Sequence, residues 1–279
     1  MEAQALTISI PPAAHGPVCD KNCPYCISKM TGYVQPDETL FIKNITKVKK
    51  MAEMARVPSV LLTGKGEPLL NFDKVCYILD QFNEFPLEIQ TNGIWLHNHI
   101  EYITALKQAG LDTIAISIDN LNQMDTFSKM IEAIINLNMT CRICLNLTDK
   151  IIDVSFRSIF YTLKNYGIHQ LIVRNIMVPK VTQNTDEARQ AIDWISLHTD
   201  SGRYIEMYNI FKSMVNEKVD LIRTLPYGSE VYNLDGISVS FSDCCLQENN
   251  NTKDIRSLIF LEDGHVYTSW DKIPASRLF

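Results

Sequence analysis

The chain has 279 residues, of which 46% are hydrophobic and 21% charged, and this ordinary globular composition excludes wholesale disorder. It carries 26 Lys and Arg against 32 Asp and Glu, and the net charge of −6 argues against a broad nucleic-acid-binding face. The sequence contains no run of about 18 apolar residues, so we predict no transmembrane helix and no membrane partner.

Strand-like and helical patterns alternate through the first 180 residues. Apolar or β-branched runs of strand length lie at residues 5–10, 60–62, 87–90, 113–118, 140–147 and 171–177. Helical periodicity is found at residues 40–55, 72–82, 99–109, 124–137 and 156–166. Strands that alternate with helices predict βαβ units, right-handed crossovers and a parallel sheet, so we assign an α/β fold to this region.

The pattern changes after Pro179. Two predicted helices and two hairpin-like segments follow, at residues 186–198, 206–218, 229–241 and 258–270. Each hairpin-like segment contains an Asp-Gly pair, at residues 235–236 and 263–264, which favours a tight turn between antiparallel strands. We therefore predict a barrel or half-barrel in residues 1–180 and a small α+β extension in residues 181–279 that covers the barrel mouth.

Three cysteines lie directly after the first strand, in the spacing Cys19-x3-Cys23-x2-Cys26. A loop of this spacing brings three thiolates around one metal centre, and soft thiolates select zinc, copper(I) or iron–sulfur clusters. A closed structural zinc site normally takes four ligands, whereas three protein ligands leave a metal position open for chemistry. From the spacing alone, a zinc site completed by His15 remains the alternative.

A glycine-rich turn, Gly64-Lys65-Gly66-Glu67-Pro68, follows the second strand. Glycines permit close backbone approach to a ligand, and a strand end offers amides and carbonyls that the sheet does not pair. Taken alone, the same turn is also common as an ordinary connection between a strand and a helix.

The chain resembles the radical S-adenosylmethionine (SAM) enzymes in two motifs taken together. These are the cysteine loop, with Tyr25 before its last cysteine, and the glycine turn, which follow strands one and two in that order. Gln-Thr-Asn-Gly at residues 90–93 and Ile-Ser-Ile-Asp at residues 116–119 agree with the same family. The resemblance covers residues 6–179 and implies a partial (βα)6 TIM-like barrel. Lys65 is a departure, because it is inserted where the family has plain Gly-Gly-Glu-Pro.

The resemblance implies that Cys19, Cys23 and Cys26 hold a [4Fe-4S] cluster, whose open iron is chelated by the amino and carboxylate groups of SAM. It also implies reductive cleavage of SAM to methionine and a 5′-deoxyadenosyl radical, which abstracts hydrogen from a substrate. The residues that it assigns to SAM binding are Tyr25, Gly64, Gly66, Glu67, Asn92, Ser117, Asp119, Arg142 and Asn146.

The resemblance also implies a role in SAM binding for the residues at or after the ends of strands one, two and four. Tyr25 is expected near the adenine, and Gly66 and Glu67 near the methionine amino group. Ser117 and Asp119 share one strand face by the period-2 rule and are expected to point at the ribose or the carboxylate. The alternative for this pair is that it caps the next helix.

Strand five contributes a second pair on one face, Arg142 and Asn146. Arg142 is expected to bind the methionine carboxylate through charge-assisted hydrogen bonds, and Asn146 to approach the ribose. Two alternatives stay open: Arg142 as an interior ion-pair partner, and Arg174 on strand six as either a substrate contact or a core ion pair.

Five further cysteines remain. Cys76 is expected in the core, and Cys141 and Cys144 are expected on opposite faces of a strand, which disfavours a shared metal. Cys244 and Cys245 are expected as core or edge residues, with the alternative that one reaches the barrel mouth as a hydrogen donor or thiol partner. We expect no second cluster.

Three functional hypotheses follow. The first is a single-cluster radical SAM enzyme that acts on a small-molecule, nucleotide or peptide substrate. The second is a zinc-binding structural or RNA-interacting module, for which the glycine turn has no use. The third is a glycyl-radical activating enzyme, and the extension after residue 180 argues against it, since such enzymes are often near the size of the barrel alone.

The radical chemistry implies an electron donor such as a flavodoxin or ferredoxin, for which Lys21 and the lysines of residues 43–50 are candidate docking points. The lysines of residues 43–50 are most simply the solvated face of a helix. Because the N-terminal residues do not resemble an export signal, we predict a cytoplasmic location, where the cysteines stay reduced. The sequence gives no indication of the oligomeric state.

Overall fold

The computed structural model describes residues 2–16, 18–213, 219–225, 229–242, 255–270 and 276–279. Its strands are β1 (Ala3–Ser9), β2 (Val60–Thr63), β3 (Leu87–Thr91), β4 (Thr113–Ile118), β5 (Thr140–Asn146), β6 (Gln170–Arg174), β7 (Val219–Thr224), β8 (Glu230–Leu234), β9 (Ile237–Ser242), β10 (Ile255–Phe260) and β11 (Val266–Tyr267). Its α-helices are α1 (Ile27–Thr31), α2 (Glu38–Met54), α3 (Phe72–Gln81), α4 (Ile94–Asn98), α5 (Tyr102–Gln108), α6 (Asn122–Thr126), α7 (Ser128–Asn136), α8 (Asp149–Ile152), α9 (Phe156–Asn165), α10 (Asp186–His198) and α11 (Ser201–Ser213).

The described strands form one open sheet in the order β11-β10-β1-β2-β3-β4-β5-β6-β9-β8-β7. Strands β1 to β6 are parallel neighbours, and β10 and β9 add one further parallel strand at each edge of this core. The six-strand core confirms the predicted α/β partial (βα)6 TIM-like barrel, with each helical connection returning the chain to a parallel strand.

The two faces of the sheet differ in chemistry. In β9, buried Val239 and Phe241 belong to the main hydrophobic core, while Ser240 and Ser242 alternate with them and are half-buried on the other face. Strand β6 repeats the pattern, with Val173 in the core and its neighbours half-buried. We call the half-buried, largely polar side the inner face; it suits a polar ligand better than a packed core does.

Both predicted hairpins are confirmed. Strands β8 and β9 pair antiparallel, and Asp235 and Gly236 between them have φ of 46° and 92°, as a two-residue hairpin turn requires. Strands β10 and β11 also pair antiparallel. In the turn between them Gly264 has a φ of 75°, and a Cβ there would lie 2.7 Å from the backbone nitrogen of Phe41.

Two predicted helices differ from the structure. The pattern at residues 124–137 covers two short helices, α6 and α7, which meet at Phe127. The helix predicted at residues 206–218 starts earlier, at Ser201, because Asp200 accepts hydrogen bonds from the backbone amides of Gly202 at 2.7 Å and Arg203 at 3.4 Å. Residues 214–218 lie outside the described part of the chain.

The strands of residues 181–279 lie in the same sheet as those of residues 1–180. Strand β9 pairs with β6, and β10 pairs with β1, so the later part of the chain borders the barrel strands on both sides. The domain boundary near residue 180 and the covering role of the extension stay predictions. None of the helices in the described residues is both long enough and apolar enough to cross a bilayer.

Candidate functional site

The loop between β1 and α1 carries the three predicted cysteine ligands. Cys19, Cys23 and Cys26 are half-buried free thiols. The backbone amide of Lys21 donates to Cys19 Sγ at 3.4 Å, and that of Cys26 donates to the Cys23 carbonyl at 3.3 Å, so the loop folds back on itself. Helix α1 begins directly after Cys26.

The three thiols share one electrostatic environment. Burial raises the pKa of Cys23 to about 11, with Lys21 opposing and Cys26 adding to the rise. Burial likewise raises the pKa of Cys19, and the charge of Cys26 adds to it. Among the described residues, no three His, Cys, Asp or Glu side chains converge closely enough for a single metal ion, so the thiols are not already gathered around one ion.

The glycine turn is pressed against the cysteine loop. A Cβ at Gly66 would lie 2.6 Å from the carbonyl carbon of Val18, and the Glu67 amide donates to the Val18 carbonyl at 2.9 Å. The close approach that makes Gly66 necessary is therefore to the protein's own backbone, whereas the sequence suggested an approach to a ligand. At Gly64 a Cβ would have its nearest neighbour at 3.4 Å, an ordinary contact.

The carboxylate of Glu67 joins the end of β2 to the end of β3. Its Oε1 accepts from Thr91 Oγ1 at 2.8 Å and from the Leu69 amide at 3.2 Å, and its Oε2 accepts from the Asn92 amide at 2.8 Å. Burial raises the pKa of Glu67 to about 7, although these hydrogen bonds lower it. Its carboxylate therefore has protein partners already, which leaves the backbone of the turn for a ligand.

Asn92 connects the end of β3 to the cysteine loop. Its Nδ2 donates to Asp20 Oδ1 at 2.7 Å and lies 3.7 Å from Cys19 Sγ. Its Oδ1 accepts from the Ile94 amide at 2.8 Å, which fixes the side chain at the start of α4. The structure thus brings Asn92 directly beside one of the three thiols.

Tyr25 connects the same loop to the ends of β4 and β5. Its hydroxyl donates to Asp119 Oδ2 at 2.8 Å, and Lys21 Nζ lies 3.6 Å from the same oxygen. Burial raises the pKa of Tyr25, and a hydrogen bond from Asn146 opposes that rise. The Tyr25 ring also packs on Trp194 of α10, with ring centroids 5.2 Å apart.

Ser117 and Asp119 follow the predicted alternation on β4. Ser117 is half-buried on the inner face, where its register partner on β5 is Cys144. Asp119 faces Tyr25 and does not cap α6, whose N-cap residue, Leu121, makes no side-chain cap hydrogen bond. The helix-capping alternative therefore does not hold for Asp119.

Arg142 lies at the opposite end of the strands, which corrects its expected contact with the methionine carboxylate. It forms an ion pair with Glu88, and its Nε donates to Gln170 Oε1 at 2.7 Å. Gln170 is the first residue of β6, which places the cluster at the amino ends of the strands, where Glu88 and Arg142 line a cavity of about 620 Å³. Arg142 and Asn146 share a face but lie about 13 Å apart along the strand. The ion-pair alternative is therefore the one that the structure supports.

The carboxyl end of the inner face carries a row of residues that the sequence reasoning identified only in part. Asn146, Arg174 and Ser242 are register partners on β5, β6 and β9, and each is the last residue of its strand. Arg174 is half-buried there. Ser242 was missed because its position depends on the pairing of β9 with β6, which no local pattern indicates.

Trp194 was also missed, although helix α10 carried a signal for it. Ala191 and Ile195 on this helix are buried with Met30 of α1, as the helical spacing of apolar residues in α10 would suggest.

Cys141 and Cys144 are both buried, and burial raises the pKa of Cys141 to about 12.

Cys76 is half-buried on α3. The predictions for Cys244 and Cys245 lie outside the described residues.

Known proteins share sequence and fold with this chain. The sequence profile of the Radical SAM superfamily matches residues 14–195. GTP 3′,8-cyclase of Clostridium acetobutylicum is 33% identical over 169 residues, which are 57% of this chain and 48% of that protein. A probable GTP 3′,8-cyclase of Methanocaldococcus jannaschii is 26% identical over 233 residues, which are 80% of this chain and 72% of that protein. The chain thus spans about half the length of the Clostridium acetobutylicum relative.

Solved structures share the fold at low sequence identity. Native anSMEcpe with bound AdoMet has a TM-score of 0.61 at 15% identity, covering 98% of this chain and 76% of that chain. Streptococcus suis SuiB bound to S-adenosylmethionine has a TM-score of 0.59 at 15% identity, covering 96% and 58%. Because the profile covers more than half of the chain, the protein belongs to the Radical SAM superfamily, enzymes that use a [4Fe-4S] cluster and S-adenosylmethionine.

Proposed function

We propose that Cys19, Cys23 and Cys26 hold the [4Fe-4S] cluster and that the neighbouring strand ends bind SAM. The observation that carries this proposal is the convergence of one three-thiol loop with the carboxyl ends of β2, β3 and β4. Soft thiolates are the ligands that iron–sulfur clusters take, and three of them leave one iron open.

When bound, the cluster supplies the electron that cleaves SAM to methionine and the 5′-deoxyadenosyl radical. The chain's own residues hold SAM in place. Tyr25, fixed by Asp119 and Trp194, offers its ring to the adenine, and Asn146 approaches the ribose. The glycine-turn backbone, held by the Glu67 carboxylate, receives the methionine amino group.

The remaining predicted contacts complete this site. The backbone of Gly64 and Gly66 lies in the same turn, Asn92 closes the side next to Cys19, and Ser117 lies on the inner face. Arg174 is proposed to bind an anionic group of the substrate, because a guanidinium forms strong charge-assisted hydrogen bonds with carboxylates and phosphates.

For the substrate we propose a purine nucleotide. The curated relatives with 33% and 26% identity are GTP 3′,8-cyclases, whereas the structural neighbours with bound peptides share only the fold. The polar row of Asn146, Arg174 and Ser242 supplies donors and acceptors of the kind that a nucleotide requires. The chain's length relative to the Clostridium acetobutylicum enzyme limits the proposal to the substrate class.

The chemistry also requires a one-electron donor, and we propose a flavodoxin or ferredoxin. Lys21 lies in the cysteine loop and is the docking point that we favour, although its side chain is largely covered. The described cysteines are free thiols, which fits a reducing compartment, and we propose the cytoplasm.

The first experiment combines anaerobic iron and sulfide analysis with reduction by dithionite in the presence of SAM. We expect about four irons per chain and formation of 5′-deoxyadenosine. The variant C19A/C23A/C26A should lose the iron and keep the wild-type circular dichroism spectrum, whereas C76A, at a half-buried cysteine of α3, should keep both. One zinc per chain without nucleoside product, or iron retained by the triple variant, would contradict the proposal.

The substrate is tested by hydrogen transfer. Ribose-deuterated purine nucleoside triphosphates are incubated with the reduced enzyme and SAM, and 5′-deoxyadenosine is analysed by mass spectrometry. Deuterium in the product supports a nucleotide substrate. If nucleotides neither accelerate SAM cleavage nor transfer deuterium while a peptide library does, the substrate class is wrong and the radical chemistry stands.

A further inference from the structure

Lys65, the residue inserted in the glycine turn, is buried although most lysines are solvated. Only 9% of it is exposed. Its Nζ donates to Thr31 Oγ1 at 2.8 Å, and its carbonyl oxygen accepts from Ser28 Oγ. Both partners lie on α1, which begins directly after Cys26. Lys65 therefore joins the glycine turn to the helix that ends the cysteine loop.

The Lys65 ammonium also faces the carboxy-terminal part of the chain. It lies 6.0 Å from the centroid of the Trp270 ring, within the range of a cation–π contact. Glu262 is 1% exposed, and its Oε1 accepts from Ser9 Oγ at 2.6 Å, while no described residue donates to its Oε2. Burial raises the pKa of Glu262, and the hydrogen bond from Ser9, backbone hydrogen bonds that include one from Lys65, and the positive charge of Lys65 oppose that rise. Lys65 therefore meets Glu262 through its backbone as well as through its charge.

Glu262 belongs to a turn that is fixed on α2. Its carbonyl oxygen accepts from the Asp37 amide at 2.9 Å. Two residues further on, Gly264 packs against the backbone of Phe41, and its carbonyl accepts from Asn44 Nδ2 at 2.8 Å. The turn after β10 is thus held to α2 and its N-cap residue by two hydrogen bonds.

Burial of a lysine and a glutamate costs desolvation energy that two surface residues would avoid. This cost indicates that Lys65 and Glu262 have a role in joining the segments to which they belong. We propose that Lys65 is a positioning residue that ties the cysteine loop, through α1, to the turn after β10. The carboxy-terminal part of the chain, which the superfamily profile does not cover, then helps to set the geometry of the cluster loop. This inference rests on the proposed function, because that proposal assigns the loop to the cluster.

The test starts with Lys65→Met, which keeps the length of the side chain and removes the ammonium. Loss of a residue that orients metal ligands typically lowers metal affinity or activity roughly 10–100-fold, and we expect a similar loss in SAM affinity of the reconstituted protein. The electron paramagnetic resonance spectrum of the reduced cluster should change as well. In metal-free protein, hydrogen–deuterium exchange of residues 18–31 should become faster.

Lys74→Met is the matched control. Lys74 also pairs with a carboxylate, that of Glu38, and lies 5.5 Å from the centroid of the Tyr77 ring, and within the described part of the chain these partners lie outside the cysteine loop. It should keep the wild-type SAM affinity, spectrum and exchange rates. Thr31→Val removes the acceptor of the Lys65 ammonium without leaving Glu262 uncompensated, and should reproduce the faster exchange and part of the affinity loss.

The double variant K65M/E262M separates positioning from charge compensation. It removes the uncompensated carboxylate, so its melting temperature should return towards wild type, while SAM affinity and exchange stay at the K65M level because α1 still lacks its tether. If affinity recovers together with the melting temperature, Lys65 only neutralises Glu262 and the proposal is overturned. Wild-type affinity and exchange in K65M also overturn it.

Failure of the proposed function gives a different result. In that case the wild-type protein itself takes up no four-iron cluster or does not bind SAM. The exchange measurement on metal-free protein still reports whether Lys65 holds residues 18–31, and unchanged exchange in both K65M and T31V refutes the tether whatever the loop binds.

Discussion

The two ends of the parallel strands hold polar side chains in different arrangements. At the amino end, Arg142, Glu88 and Gln170 satisfy one another within the sheet. At the carboxyl end, Asn92 and Asp119 bind residues of the cysteine loop. The contrast follows the rule for α/β barrels, in which loops after the strands carry chemistry and the opposite end contributes stability. In this chain the polar residues at the carboxyl end hold a loop, whereas those at the amino end hold only neighbouring strands.

Gly66→Val is expected to have the largest effect on the carboxyl end. Because a Cβ at this position would lie 2.6 Å from the carbonyl carbon of Val18, the backbone before Cys19 must move. We expect loss of the bound iron and a decrease of about 3 kcal/mol in the free energy of unfolding. Iron analysis and chemical denaturation measure both.

Gly64→Ala is the control, since its nearest neighbour would lie at 3.4 Å. It should keep the iron and most of the stability. Full iron content in Gly66→Val would show that the turn does not support the cysteine loop. The carboxyl end would then not differ from the amino end in holding a functional loop.

Glu67→Gln tests the buried carboxylate that joins β2 to β3. Burial raises its pKa to about 7 from the ordinary 4.5, so the stability that Glu67 contributes is complete below about pH 4.5 and lost as the pH rises through 7. Between about pH 5 and about pH 8, the free energy of unfolding of the metal-free wild type should fall by about 2.5 kcal/mol more than that of the variant. Denaturation at both pH values measures this difference, and parallel pH profiles would contradict it.

Local patterns predict much of the carboxyl end. The order of strands and helices implies a parallel sheet, and a parallel sheet brings the ends of successive strands together, so the cysteine loop, Asn92 and Asp119 could be placed on one side. The same reasoning misplaced Arg142. Strand alternation identifies the face of a residue but not the end of the strand where it acts, and Arg142, the third residue of β5, lies near the amino end with Glu88 and Gln170.

Long-range pairing is the other limit of the sequence reasoning. That β10 pairs with β1 and β9 with β6 depends on chain segments more than 60 residues apart in sequence, and no periodicity reveals it. The burial of Lys65 against Glu262 follows from that pairing. The sequence identifies Lys65 only as an insertion in the glycine turn, and its burial depends on β10 lying beside β1.

Arg142→Met should destabilise the amino end without affecting SAM binding. Its side chain and that of Glu88 are 20% and 16% exposed, so the uncompensated Glu88 should cost about 2 kcal/mol, less than in a fully buried pair. The double variant R142M/E88M should recover most of this loss. Calorimetric titration with SAM provides the second readout, and a lowered affinity in R142M would return Arg142 to the candidate site.

Tyr25→Phe is expected to have the smallest effect, since it removes one hydrogen bond and leaves the ring on Trp194. Lys21, 3.6 Å from Asp119, still compensates the carboxylate, so the free energy of unfolding should fall by only about 1 kcal/mol. The matched control is Tyr166→Phe, which removes an exposed hydroxyl bonded to Asp125. If Asp119 positions Tyr25 against the adenine, only Tyr25→Phe lowers SAM affinity in addition to stability. Equal SAM affinity in the two variants would mean that the Tyr25–Asp119 bond, like the Arg142–Glu88 pair, only stabilises the fold.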